Sequence, residues 1–219
     1  MDSALKSAPK NYQIIQTEDG SQTLYSEAFN ENCHSTSGAV EETKLHYLQG
    51  CKVLEKARAQ KEIYILEVGF GLGIGWQTTY EALRDIDCQI HFVSLEIDKE
   101  LGLKTQGLTL LIGDARQRLP HYLKENPHIK FDCIYQDAFS PRRNPELWTQ
   151  EWFSLLKSCS HEKTLISTYS ASNSIRKSML AAGWSLKEGE KFGPKRAATR
   201  ADLSGESDAS ILEKLARST

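Results

Sequence analysis

Apolar residues recur along the middle of the chain in two alternating rhythms. Runs of seven or eight residues read as buried strands: "EIYILEV" (62–68), "IHFVSLEI" (90–97), "LTLLIGD" (108–114), "FDCIYQD" (131–137) and "TLISTYS" (164–170). Between them the period lengthens. Trp76, Thr79, Tyr80 and Leu83 fall at helical spacing within 73–84, and Leu147, Trp148, Phe153, Leu155 and Leu156 within 145–158. A further helix over 172–182 stops at Gly183, a natural residue just past a helix end. Ahead of this region, 12–29 reads as two extended runs turning at Asp19-Gly20, a hairpin signal. Residues 38–59 read as helical with a break at Gly50. The pattern predicts a hairpin and helical extension over 1–60 and a core over 61–219, joined in one compact domain.

Strands alternating with helices predict an α/β fold, a mostly parallel, doubly wound sheet covered on both faces. Ligands bind such sheets beyond the carboxyl ends of the strands. "EVGFGLG", "EID", "GDA" and "QDAFSP" all fall at that edge. One connection is short: only the nine residues 99–107 separate two strands, where a parallel crossover usually takes at least about 10–12. Either the usual helix is reduced to a turn, or the chain lacks residues there.

Composition narrows the class. Apolar content of 39% and charged content of 26% are ordinary for a globular chain. No run approaches a membrane span, and "MDSALKSAPKNYQ" lacks the apolar stretch of a secretory signal. The five cysteines are scattered without C-x-x-C spacing, and the six histidines form no ligand motif. Neither a disulfide framework nor a metal site is expected, and a reducing cytoplasm fits. With a net charge of −2, a polyanionic partner needs a local patch.

The densest signal is "LEVGFGLGIGW" (66–76). The dinucleotide pattern G-x-G-x-x-G fails from Gly69, which places Ile74 third, and from Gly71, which places Trp76 third. A phosphate-binding P-loop fails because no Gly-Lys-Ser/Thr follows. Glu67 with Gly69, Gly71 and Gly73 around Phe70 does fit E/D-x-G-x-G-x-G, the S-adenosylmethionine loop of Rossmann-like methyltransferases. Bare backbone there lets amides approach the cofactor, and a nearby carboxylate can bind its ammonium group. Glu96 ends the second strand, where an acid can accept from ribose hydroxyls; otherwise it is a strand-end charge. Asp114-Ala115 ends the third, where an aspartate and an amide can read adenine. A helix N-cap before "ARQRL" is the alternative for Asp114, and the two roles are compatible.

Longer blocks go further: "GAVEET" (38–43), "HFVSLE" (91–96), "DAFSPRRNPELWT" (137–149), "STYSASNSIRKSMLAAGW" (167–184) and "KFGPKR" (191–196). With the glycine loop, they resemble the methyltransferase module of the MnmC family of tRNA wobble-uridine enzymes and its standalone relatives, from about Tyr25 to Arg200. The resemblance implies a Rossmann-like class I fold and methyl transfer from S-adenosylmethionine to the 5-aminomethyl nitrogen of a wobble uridine, often a 2-thiouridine, in tRNA. The bifunctional family members carry a flavin-dependent oxidase after this module. The chain ends at Thr219, so no flavin is expected in it.

In-line displacement from a sulfonium needs alignment rather than a covalent nucleophile. The base that orients the amine is expected to be Asp137, at the tip of the fourth strand, which is also expected to border the cofactor, unless it only caps the next turn. Phe139 either stacks on the base or belongs to the core. Glu42 matches the family's "EET" position, where it is expected to join Asp137 in the catalytic site and close the pocket, or is a solvated helix charge. Arg142 and Arg143 adjoin the site, and "KEGEKFGPKRAATR" (187–200) sets Lys187, Lys191, Lys195, Arg196 and Arg200 against two glutamates, net +3. Such a patch neutralises phosphates or is a solvated face. Two other functions remain open: methylation of another amine, and a non-catalytic nucleotide- or RNA-binding module.

Overall fold

The computed structural model describes residues 7–102, 107–192 and 197–218. Its centre is a seven-stranded sheet. In chain order the strands are β4 (Glu62–Val68), β5 (Gln89–Glu96), β6 (Leu108–Ile112), β7 (Phe131–Gln136), β8 (Ser160–Thr168), β9 (Ser185–Glu188) and β10 (Thr199–Asp202). They lie side by side as β6-β5-β4-β7-β8-β10-β9. The first five are parallel, and β10 runs antiparallel to both β8 and β9. All five strands expected from the sequence are present; β9 and β10 were not anticipated. Strand order reverses between β4 and β7, which makes their carboxyl ends the place for a ligand.

A separate three-stranded antiparallel sheet precedes this core: β1 (Tyr12–Gln16), β2 (Gln22–Ser26) and β3 (Glu31–Asn32). The first two form the expected hairpin. Next come α1 (Ala39–Thr43), a π-helical segment Lys44–Gln49 and α2 (Val53–Ala59). The break in this helical stretch falls at Lys52, whose φ of 53° is left-handed, rather than at Gly50. Gly50 is needed for space: a Cβ there would lie 1.9 Å from the His46 carbonyl oxygen and 2.5 Å from Ser167 Oγ.

The remaining helices are α3 (Ile74–Leu83), α4 (Ala115–Glu125), α5 (Gln150–Ser158), α6 (Asn173–Ala181) and α7 (Ala209–Ala216). The helix expected over 145–158 is split. Pro145–Trp148 form a 3₁₀ turn, and Thr149 then starts α5 by accepting from the Trp152 amide at 3.2 Å. A hydroxyl cap at the second start is the physical reason for the interruption.

Two cores sandwich the sheet. One packs α5, α6 and α7 through Trp152, Phe153, Met179 and Ile211 against Leu66, Val68 and Ile134. The other packs the N-terminal helices and α3 through Tyr47, Cys51, Val53 and Trp76 against Ile63, Ile65, Phe92 and Tyr135. The helical extension is thus one wall of the core. In the short β5–β6 crossover Lys99–Leu101 form a single 3₁₀ turn, while 103–106 lie outside the described residues. Among the described residues no helix is long and apolar enough to cross a membrane.

Candidate active site

A cavity opens at the carboxyl edge of β4, β5 and β7, lined among others by Gly69, Gly71, Glu96, Asp114, Ala115 and Asp137. Five sequence-distant segments meet there. Gly69, with φ of 98°, follows β4 so closely that a Cβ would sit 2.6 Å from the Asp137 carbonyl oxygen. The Asp137 amide in turn donates to the Val68 carbonyl at 3.0 Å. Gly71 and Gly73 also have positive φ, 55° and 72°, and Phe70 is buried inside the turn against Gly73.

Glu96 is 7% exposed and holds the glycine loop directly: its Oε2 accepts from the Gly71 amide at 3.0 Å and its Oε1 from the Asp98 amide at 2.9 Å. Burial pushes its pKa up. A carboxylate has about four acceptor positions, so two amides leave capacity for a hydroxyl pair. Asp114 caps α4, accepting from the Arg116 amide at 2.9 Å, and also grips the Arg116 guanidinium at 3.1 and 2.7 Å. That guanidinium holds its pKa low. The capping role is therefore real, on a residue that also lines the cavity.

Glu67 is placed differently from the other carboxylates. Side chains alternate along a strand, so Ile65 and Glu67 face one side and Leu66 and Val68 the other. Glu67 consequently turns under α3, 2% exposed, where Ser94 Oγ donates to it at 2.7 Å. Gly75 makes its room, since a Cβ there would lie 1.8 Å from Glu67 Oε1. Burial raises its pKa well above the ordinary carboxyl value. It sits beneath the loop rather than on the cavity wall.

The loop after β7 is pinned from several sides. Trp148 Nε1 donates to the Phe139 carbonyl at 2.8 Å and the Tyr169 hydroxyl to the Ala138 carbonyl at 2.9 Å. The Ser140 amide and hydroxyl both donate to Glu31 Oε2, at 3.1 and 2.8 Å. Gln136, fully buried, donates to the Leu147 carbonyl at 2.9 Å and accepts from Trp152 Nε1 at 3.0 Å. Asp137 itself accepts a 2.6 Å hydrogen bond from the Tyr47 hydroxyl.

The N-terminal sheet roofs the cavity with residues that composition did not single out. Phe29 stacks on Phe139, ring centroids 4.3 Å apart and planes 16° off parallel, and both line the cavity with Cys33 and His34. Tyr12 and Leu24 pack on Leu101 of the crossover turn and on Leu72 of the glycine loop. The crossover side of the cavity is thus closed by the hairpin. Ile97, 52% exposed, and Leu147 give it apolar walls. Glu42 is buried, 7% exposed, and accepts from the Ser35 amide at 2.9 Å, so it is no solvated helix charge. It does not line the cavity itself.

The basic segment resolves unevenly. Lys187 pairs with Asp208 at 3.5 Å in β9, and Arg200 lies half-buried in β10. Lys191, Arg142 and Arg143 are exposed, whereas Lys195 and Arg196 lie outside the described residues. Among the described residues no cluster of His, Cys, Asp and Glu is arranged to hold a metal.

A glycine turn at the switch point, a buried carboxylate holding that turn and a helix-capping aspartate at the next strand fit S-adenosylmethionine, and fold and site together define a Rossmann-like methyltransferase. Residues 87–204, more than half of the chain, match the family of S-adenosyl-L-methionine-dependent methyltransferases. The chain belongs to that family, as a methyltransferase module of the MnmC type. The crystal structure of MnmC2 from Aquifex aeolicus is 32% identical, with a TM-score of 0.79 over 94% of this chain and 75% of that one. The tRNA 5-methylaminomethyl-2-thiouridine biosynthesis bifunctional protein MnmC of Paraburkholderia phytofirmans is 28% identical over 218 residues, 80% of this chain and 32% of the relative. The chain therefore spans about a third of the length of the curated relatives it matches. Spermidine synthase from Thermotoga maritima, 10% identical, shares the fold with a TM-score of 0.60 over 91% of this chain and 71% of that one.

Proposed function

We propose that the protein transfers a methyl group from S-adenosylmethionine to the 5-aminomethyl nitrogen of a wobble uridine in tRNA. The observation that carries this reading is Asp137, a carboxylate on the wall of the same cavity as Glu96 and Asp114, with the aromatic pair Phe29 and Phe139 beside it. The relatives named for 5-methylaminomethyl-2-thiouridine biosynthesis support the substrate class.

The bound cofactor supplies an electrophilic methyl on a sulfonium. The chain supplies alignment. Gly69 and Gly71 admit it to bare backbone, Glu96 offers acceptors for ribose hydroxyls, and Asp114 with the amide of Ala115 faces the base. Glu67 supports the loop from below, held by Ser94 against Gly75 of α3. The substrate amine titrates somewhat below lysine's roughly 10.4, so it arrives mostly protonated at neutral pH. Asp137 orients it and accepts its proton, directly or through water. Phe139 offers a ring face to the uracil, with Phe29 as its partner at the rim. Glu42 buttresses this wall from α1. Arg142 and Arg143 stand exposed on the Asp137 loop, where phosphates of an anticodon stem would pass, and Lys191 extends that surface.

Nucleoside mass spectrometry of tRNA from a strain lacking the gene tests the reading. The deletion is expected to accumulate 5-aminomethyl-(2-thio)uridine at the expense of its N-methylated form. An unchanged nucleoside profile would leave methylation of another amine as the better account, and absence of S-adenosylmethionine binding would leave a non-catalytic module.

A further inference from the structure

Tyr47 is a buried group at this site that the reaction outlined above does not use. It is 2% exposed, and its ring stacks on Tyr135 with centroids 5.1 Å apart and planes 27° off parallel. Tyr135 is fixed in turn, its hydroxyl 3.0 Å from Thr79 Oγ1 and its ring edge-on to Phe92. The phenol is therefore held in place by packing, and its hydroxyl ends 2.6 Å from Asp137 Oδ1.

The backbone that delivers it is unusual. Tyr47 lies in a six-residue π-helical segment, Lys44–Gln49, set between two short α-helices. Wide turns of this kind are rare and are found frequently at functional sites. Here the turn has identifiable supports: Ser167 Oγ of β8 donates to the His46 carbonyl, and Gly50 leaves the space that contact needs. A widened turn rotates the following side chain relative to a regular helix, and here that side chain reaches the edge of β7.

We infer that Tyr47 is a positioning residue: its hydroxyl fixes one oxygen of Asp137 and stabilises the carboxylate form, leaving the group's remaining acceptor capacity for the substrate amine. This rests on Asp137 acting as the base in the proposed methyl transfer. A charge-assisted O–H···O⁻ bond of this length is among the stronger protein hydrogen bonds, and losing it frees the carboxylate to rotate. Misplacing a reacting group by as little as an ångström can cost about 100-fold.

Among the described residues, the groups facing Asp137 include Tyr47 itself, Tyr169 after β8, Cys33 after β3 and Glu67 of β4, with Glu42 of α1 acting on both tyrosines, Glu31 of β3 on Tyr169 and Cys33, and Glu96 of β5 on Cys33. Burial first, and then Asp137 and Glu42, push the two phenols well up, while burial followed by Glu96, Asp137 and Glu31 pushes the Cys33 thiol to about 12. All three stay protonated through neutral pH, so among the groups of this site the acid limb of the rate profile reports carboxyl groups, beside the substrate amine, which is the same for wild type and variant.

The test is Tyr47→Phe, which keeps the ring stack and removes the hydroxyl. Single-turnover methyl transfer at saturating cofactor should slow by about 10–100-fold, and the acid limb of its pH profile should move to higher pH. Cofactor affinity by calorimetry should stay within about twofold, as no cofactor contact is touched. In an Asp137→Asn background the same change should add little. Equal losses in both backgrounds, or an unmoved profile, would reduce Tyr47 to packing. Carbon-13 NMR of the Asp137 carboxyl keeps the test independent of the substrate. Its pKa should rise in Tyr47→Phe even if aminomethyl-uridine tRNA proves not to be methylated, and an unchanged value would overturn the assignment. Ser167→Ala, which releases the wide turn but retains the phenol, should shift that pKa in the same direction by less.

Discussion

Gly69 and Asp137 touch through their backbones: a Cβ on the first would lie 2.6 Å from the carbonyl oxygen of the second. The cofactor loop and the proposed base are thereby one rigid unit, and the glycines of the loop divide into two kinds. Gly69→Ala must push the end of β7 aside at a φ of 98°, so it should lower stability by more than about 1 kcal/mol and weaken cofactor and tRNA turnover together. Gly71 faces the cavity, its virtual Cβ 3.3 Å from His34 Cε1. Gly71→Val is strained at its own φ of 55° and should also cost stability, but it displaces no strand and should leave a folded protein that no longer binds S-adenosylmethionine. Thermal melts with calorimetry separate the two, and equal behaviour would contradict the division.

Glu67 and Glu96 make a pH prediction for the protein without cofactor. Burial raises both carboxyl groups above their unfolded values, so between the two values the native state binds more protons than the unfolded chain. Their contribution is therefore fully present below an unfolded pKa of about 4.3 and is lost as pH rises through the elevated native values. Glu67→Gln should remove part of that loss and flatten the decline in stability between the unfolded value and the elevated native one. Denaturant unfolding across pH for wild type and variant checks this, and parallel curves would show that Glu67 carries no such burden.

How much of this was legible in the sequence follows from how local each signal is. The five parallel strands, the glycine loop and the edge positions of Glu96, Asp114 and Asp137 all come from runs of fewer than a dozen residues. The turn of Glu67 away from the cavity was equally available, because strand alternation pairs it with Ile65. Tyr47 was not, since its meeting with Asp137 spans 90 positions and depends on a π turn that no propensity announces. Strands β9 and β10 are four residues each, and "SLKE" and "TRAD" read as charge rather than as sheet. Their order depends on Arg176, buried in α6, which reaches Thr199 Oγ1 at 2.9 Å and Glu188 at 3.1 Å.

Phe29 comes from the hairpin rather than from the methyltransferase core, so its removal isolates the contribution of that sheet. Phe29→Ala should reduce kcat/KM for tRNA by roughly tenfold, within the range for one base–aromatic stack. Cofactor affinity should be nearly unchanged. Wild-type turnover of tRNA would confine Phe29 to packing against Phe139.

Arg142 and Arg143 are exposed and, among the described residues, free of ion pairs. Reversing both to glutamate should weaken tRNA binding and lower its salt slope by about one per arginine, with cofactor affinity unaltered. A slope equal to wild type would remove them from the RNA surface.

Asp137→Asn keeps shape and most hydrogen bonding but loses the charge. Single-turnover transfer should slow by roughly 10²–10⁴-fold, with partial recovery as pH rises and the amine deprotonates unaided. Near wild-type rates at neutral pH would leave Asp137 as a loop-end residue.

The most direct measurement incubates the protein with S-adenosylmethionine and tRNA carrying 5-aminomethyl-2-thiouridine at the wobble position, then analyses the nucleosides by mass spectrometry. The account predicts that this nucleoside alone becomes heavier by one methylene, carrying the added methyl on the side-chain nitrogen, while tRNA with an unmodified wobble uridine stays unchanged. Methyl transfer to both tRNAs alike, or to neither in a protein that binds the cofactor, would contradict it.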